Sequence, residues 1–173
     1  MRQAERRART VAALLDAAAT SFASHGYDGT SLESVAMAAG VSKGAVYAHF
    51  TSKLEIFLVV LERTLAEAGR RLESARERLA AGRPAIEAAQ GYFGRPTDAL
   101  HVGIMSVTWQ LAAMEALVRE RLEEFRRQRV VNLGEAAIEA GYTLATARET
   151  ADVTAKLIDA WTLEYRLDQA AGA

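Results

Sequence analysis

TSLESVAMAAGVSKGAVYAHFTSK, residues Thr30 to Lys53, decides the fold. It holds two short helical patterns separated by one tight turn. Thr30 or Ser31 can cap the first helix, and Glu33 or Ser34 stands where a capping partner could sit. Leu32, Val35, Ala36 and Ala39 recur at helical spacing and give one narrow apolar stripe. Gly40 follows the last of them, in the position of a left-handed helix stop. Val41 can plug the space between the helices. Ser42 caps a second helix, whose inward residues are Ala45, Val46 and Phe50. Small residues at 36 and 39 let the two helices cross steeply, which makes the stretch a helix-turn-helix with the second helix outermost.

The outer face of that second helix carries Ser42, Lys43, Gly44, Tyr47, Ala48 and His49, with Lys53 just beyond. Hydroxyls, a phenol, an imidazole and two ammonium groups are partners for phosphates and base edges, and a glycine permits close approach. The bland alternative is a helical corner of an ordinary bundle with a polar outer face.

The pattern A-x-x-A-G-V-S-x-G-x-x-Y-x-H-F-x-x-K is spelled by Ala36, Ala39, Gly40, Val41, Ser42, Gly44, Tyr47, His49, Phe50 and Lys53. It resembles the DNA-binding domain of the tetracycline-repressor (TetR-type) family of bacterial transcription regulators, from about Thr10 to about Leu61. The resemblance implies that Thr30, Ser31, Tyr47, His49 and Lys53 hold phosphates while Ser42, Lys43 and Gly44 face base edges. It also implies a helical core domain that binds a small molecule, and pairing of two copies on a palindromic operator.

Outward from this stretch, the chain reads as all-α. Half of the 173 residues are apolar and only two are proline. The absence of cysteine excludes disulfides and thiolate metal sites. Residues 1–53 hold six Lys/Arg against four Asp/Glu, and residues 54–173 hold fifteen against eighteen. A mildly basic front and acidic back suit DNA at one end only. The opening MRQAERRAR is basic with no apolar stretch after it, unlike a secretory signal. It reads either as a solvated helix start or as a basic arm whose Arg2, Arg6, Arg7 or Arg9 meets DNA.

Val11, Leu14, Leu15, Ala18 and Phe22 predict a first helix from Thr10 to about His25 that braces the reading unit, with Phe22 and Tyr27 in the core. A long helix follows from Leu54 to about Ala81, marked by leucines 54, 58, 61, 65, 72 and 79. Gly82-Arg83-Pro84 stops it. A short helix spans Pro84 to Phe93, closed by Gly94-Arg95-Pro96, and Thr97 or Asp98 caps the next, which runs to about Ala116. That helix is apolar almost all round yet too short and too interrupted to span a membrane, so it is central. Leu117 to Gly141 is amphipathic, with Val118, Leu122, Phe125, Leu133 and Ala137 inward.

The last helix, Ala145 to Asp168, shows two apolar faces. One holds Ala147, Ala151, Thr154, Ile158, Trp161 and Tyr165. The other, with Val153, Leu157, Ala160 and Leu167, implies a second copy of the chain. The resembling family usually carries one more helix and pairs through its last two, so here the preceding helix would share the contact.

His25, His49 and His101 have no i,i+4 partner and predict no metal site. Carboxylates are spread over solvated faces, and no catalytic triad or Gly-rich phosphate loop is spelled. The reading is no enzyme and no cofactor. Tyr92, His101, Met105, Trp109, Met114 and Trp161 are the candidate ligand-binding set, with Phe93 beside them and Gln110 as a further polar group; plain core packing is the competing account of each.

The expected protein has a helix-turn-helix domain at residues 1–53 and a ligand-binding and dimerisation domain at 54–173, with 54–81 connecting them. It would be a cytoplasmic, homodimeric, sequence-specific DNA-binding regulator, a repressor released from its operator by a small-molecule effector. The alternatives are a ligand-independent DNA-binding protein of the same fold and a small-molecule-binding helical bundle.

Overall fold

The computed structural model describes the backbone of residues 2–93 and 99–171 and the side chains of 3–93 and 99–164. Among the described residues it has eight helices and no strand: α1 Arg2–His25, α2 Leu32–Ala38, α3 Lys43–Tyr47, α4 Lys53–Ala80, α5 Ala85–Tyr92, α6 Ala99–Ala112, α7 Ala116–Glu139 and α8 Leu144–Ala171. None is long and apolar enough to cross a membrane.

Two helix ends differ from the expectation. α1 begins at Arg2 instead of Thr10. Residues 2–9 are all strong helix formers, and Thr10 donates its hydroxyl back to the Arg6 carbonyl at 3.1 Å as a mid-helix threonine does. The basic N-terminal stretch is thus a solvated extension of α1. α6 stops at Ala112, four residues early. The Arg119 guanidinium donates to the Ala112 carbonyl at 2.9 Å, closing the end of the helix with a charge-assisted bond. Gly94 to Asp98, where a helix stop and a cap were expected, lie outside the described residues.

The chain forms two compact units. The first comprises Met1–Thr64 and Ala99–Leu111, the second Leu65–Asp98 and Ala112–Ala173. In the first, Leu14, Ala18, Phe22, Val35, Val46, Ile56, Phe57 and Leu61 are all buried. Each large one contributes roughly 1.5–3 kcal/mol by leaving water. Phe22, Tyr27 and Phe57 form a ring cluster, with Phe22 edge-on to Phe57 at 5.1 Å and Tyr27 edge-on to Phe57 at 5.6 Å. It lies beneath the helix-turn-helix, as the sequence predicts for Phe22 and Tyr27. α6 is buried without a break from His101 to Thr108. At Gly103 it meets α1 so closely that a Cβ there would lie 2.6 Å from the Ala23 Cβ.

The second unit has its own core. Leu72, Ala75 and Leu79 of α4, Ala88, Ala89 and Tyr92 of α5, Leu133 and Ala136 of α7, and Ala151, Ala155 and Ile158 of α8 pack together. Alanine dominates, so the helix backbones can approach closely, and the short α5 packs within a layer of three long helices. At the edge of this apolar shell Asp159, with 31% of its side chain exposed, meets two arginines, Arg129 and, at 3.7 Å, Arg126. Arg129, 5% exposed, donates both terminal nitrogens to Asp159, at 2.8 and 2.9 Å. Arg129 occupies a stripe position of α7, between Phe125 and Leu133, where the periodicity calls for an apolar residue.

A candidate DNA-reading face on α2 and α3

Local rules build this face. Ser31 caps α2, its hydroxyl oxygen accepting from the Ser34 amide at 3.0 Å while the Ser34 hydroxyl oxygen accepts from the Ser31 amide at 3.1 Å. Ser34, not Glu33, therefore completes the capping box, and such a cap contributes about 1 kcal/mol. Gly40 takes φ +67°, the left-handed turn between the helices. Ser42 caps α3, accepting from the Ala45 amide at 3.2 Å. Val46 and Phe50 plug the unit's core and Ala45 is half-buried, which turns Lys43, Gly44, Tyr47 and Ala48 to the outside.

Gly44 is informative by what does not surround it. A Cβ there would meet only the Ser42 Oγ, at an ordinary 3.9 Å. Its φ is not positive, so neither turn geometry nor packing requires glycine, and a helix pays up to about 1 kcal/mol to keep one. What remains is room for something outside the protein to approach the backbone.

Freed from capping, Glu33 has another task. Its Oε1 accepts from the Lys43 ammonium at 2.8 Å and from the Tyr47 hydroxyl at 2.9 Å. Lys43 also lies 5.8 Å above the Tyr47 ring. The Lys43 hydrogen bond, followed by a backbone amide and Tyr47, holds the Glu33 carboxyl down to about 2. The same contact raises the pKa of Lys43 and of Tyr47. Glu33's depressed pKa makes the linkage favourable above the ordinary carboxylate range; it is lost as the pH falls toward 2.

The remaining expected contacts are placed as follows. Thr30 is 3% exposed and donates its hydroxyl to the Gly26 carbonyl at 2.8 Å. Its side chain therefore braces the turn, a correction to its expected role as a phosphate ligand, since the hydroxyl faces inward. Lys53 is half-buried; its ammonium donates to the Tyr27 carbonyl at 2.8 Å and sits 4.3 Å from the Tyr27 ring centre. It ties the start of α4 to the turn after α1 and keeps further N–H donors. His49 is half-exposed beside Phe50, and Ser31 is exposed.

The candidate ligand set is divided. His101, Met105 and Trp109 belong to the first unit, Tyr92 and Trp161 to the second. Met114 is 73% exposed beyond the end of α6, which corrects its assignment as a pocket-lining residue: α6 ends before it. His101, Met105 and Tyr92 are buried, and burial pushes the Tyr92 phenol up to about 12. The Trp109 Nε1 and the Arg129 Nε are buried with no acceptor among the described residues. In the second unit Phe93 stands between Tyr92 and Trp161, with ring centres 5.0 and 5.8 Å away. The open groove formed by Ala4, Arg7, Ala8, Val11, Ala12, Leu15 and Arg63 contains none of these residues.

Two features escaped the sequence reading. Glu33 was weighed only as a capping partner, and nothing in the pattern says which of two adjacent residues caps. Arg129 had a visible signal, a guanidinium on an apolar stripe, but its partner Asp159 lies on another helix thirty residues away.

Residues 14–60 match the family "Bacterial regulatory proteins, tetR family". The chain is 32% identical over 148 residues to the HTH-type transcriptional activator FasR of Mycolicibacterium smegmatis, across 72% of this chain and 66% of FasR. Residues 14–60 are a TetR-family segment. The relative TtgW, an HTH-type transcriptional regulator of Pseudomonas putida, is 44% identical over 48 residues, which cover 28% of this chain and 36% of TtgW. The match thus spans just under two thirds of FasR and about one third of TtgW. A TetR-family transcriptional regulator from Mesorhizobium loti has the same fold, with a TM-score of 0.66 and 21% identity over 90% of this chain and 97% of that one.

Proposed function

We propose that the chain is a sequence-specific DNA-binding transcriptional regulator whose hold on its operator is released by a small-molecule effector. The observation that carries the DNA-binding part is the outer face of α3. It presents Ser42, Lys43, Tyr47 and an unpacked Gly44 beside a helix N-terminus, an arrangement that accepts phosphate and base edges and serves no packing purpose. His49, Ser31 and Lys53 flank it. In this proposal Lys43 reads a base edge and Lys53 holds the backbone while steadying the turn. The reading unit comprises residues 1–53, and residues 54–173 carry effector binding and pairing.

Two exposed apolar rows support pairing with a second copy. α7 exposes Val131 and Ile138, seven residues apart, and α8 exposes Val153 with Ala160 seven residues on and Leu157 half-buried between them. Heptad spacing on two adjacent helices suits a four-helix contact between twins. Leu167, the last expected member, lies outside the described side chains. Pairing sets two reading heads against two half-sites about 34 Å apart.

The Trp109 Nε1–H, buried in the first unit with no acceptor among the described residues, supports an effector that brings a hydrogen-bond acceptor. DNA and effector would favour different arrangements of the heads, so each weakens the binding of the other by linkage. FasR is named an activator. Repression is the expected sign for this chain, and the operator's position relative to the promoter sets it.

Selection from a random-sequence duplex pool with the full chain, followed by sedimentation, tests the reading. Wild type should enrich a palindrome and sediment as a dimer. Leu157→Glu should give a folded monomer that no longer holds the palindrome. A pool that emerges without enrichment would refute the DNA-reading assignment.

A further inference from the structure

We propose that Glu33 is a specificity-determining residue: from α2, its carboxylate fixes the Lys43 ammonium and the Tyr47 hydroxyl in one arrangement and at the same time repels DNA of the wrong sequence. The inference rests on the reading of α3 as the DNA-facing helix.

The geometry gives both halves of the role. Lys43 and Tyr47 stand four residues apart on α3, and one oxygen, Glu33 Oε1, receives both of their hydrogens at 2.8 and 2.9 Å. A free lysine is a flexible point charge that grips any phosphate within reach. An ammonium with one proton committed to Glu33 and its body beside the Tyr47 ring keeps two protons in a restricted range of directions. It can be satisfied by two acceptors placed together, as guanine N7 and O6 are, and poorly by a lone phosphate oxygen elsewhere.

The charge supplies the second half. Glu33 stays ionised at any pH where DNA is double-stranded, because its carboxyl is held down to about 2 by Lys43 first of all. The three groups sum to zero net charge, so this face gains little from the phosphate field alone. A duplex that fails to engage Lys43 meets a carboxylate with its ammonium already occupied. Specificity is a difference between two affinities, and lowering the unspecific one raises it as surely as strengthening the specific one. Glu33 has no competing structural task, since Ser31 and Ser34 complete the cap of α2 without it.

The test uses the full chain and two probes, a pool of random-sequence duplexes and the duplexes that wild type selects from it. Two variants separate charge from reach. Glu33→Gln keeps size and acceptor but removes the charge, and should bind the random pool about fivefold more tightly while gaining less on the selected duplexes. Glu33→Asp keeps the charge but falls one methylene short. It should leave random-pool affinity unchanged and lose the base preference at the step facing Lys43. In both variants the ratio of selected to random affinity falls, and thermal melts should match wild type. The proposal is overturned if either variant moves both probes by the same factor, or if neither variant moves either probe. Failure of wild type to bind any duplex would overturn the DNA-reading assignment itself, a different result from either of these.

Discussion

Two of the charged clusters among the described residues sit in opposite surroundings. At α3, Lys43, Tyr47 and Glu33 are all exposed, and their partners come from a stretch of fifteen residues. In the second unit Arg129 is buried and its partner Asp159 lies thirty residues away on another helix. Water screens the first cluster, so it orders three exposed side chains while adding little to stability. In the second the guanidinium of Arg129 is shielded while Asp159 is half-buried and shared with Arg126. Removing the carboxylate therefore strands a buried charge, and the bidentate bond ties α7 to α8. In the proposed function the exposed charge serves recognition, while the buried guanidinium ties two helices of a core built mostly from alanine.

The most severe way to break this contrast is at Asp159. Asp159→Ala leaves a guanidinium buried with no counter-charge and should lower stability by about 3 kcal/mol in urea unfolding, while replacing both partners by Met and Leu should recover most of the loss. A cost below about 1 kcal/mol would place the pair in the same solvated class as the cluster on α3. A second cut uses pH. Burial holds Tyr92 neutral in the folded state up to about 12, whereas an unfolded tyrosine ionises near the ordinary phenol value of 10. Its contribution is therefore complete below pH 10 and declines as the pH rises from 10 to 12. Over that window wild type should lose about 2–3 kcal/mol more than Tyr92→Phe, read from unfolding curves at successive pH values.

Smaller effects sharpen the exposed side. Ser31→Ala removes the cap of α2 and should cost about 1 kcal/mol in thermal unfolding, with no pH dependence between 6 and 9. Gly44→Ala should have the opposite sign, a gain of about 0.5 kcal/mol in stability, because the glycine has no packing role. The same variant should bind selected DNA less tightly in an anisotropy titration. A rise in both stability and affinity would show that Gly44 leaves room for nothing.

The same contrast explains what the sequence could tell. The helix-turn-helix was legible because each of its determinants acts within a few residues: Ser31 and Ser42 as caps, Gly40 as the stop, Val46 and Phe50 as plugs. The central burial of α6 was legible because it is apolar on every side. The start of α1 was misplaced because its apolar periodicity begins only at Val11, and the polar residues before Thr10 are helical without an apolar stripe. The role of Thr30 came from the resemblance, which does not say which way its hydroxyl turns, and the placing of Met114 assumed that α6 continued past Ala112. Arg119 set the end of α6 through a contact seven residues away, across a helix break that hydrophobic periodicity cannot see. The Arg129–Asp159 pair needed the packing of two helices to be known first.

The contact of Gly103 with Ala23 has a mechanical consequence. Most helix contacts are cushioned by side chains that can rotate and so absorb a shift of an ångström. Here the bare Cα of one helix rests against a methyl fixed to the backbone of the other, with the position of a missing Cβ already only 2.6 Å from it. There is no slack. Any approach of α6 toward α1 meets backbone there and not a side chain that can turn aside, and α1 is the helix that carries the buried Phe22.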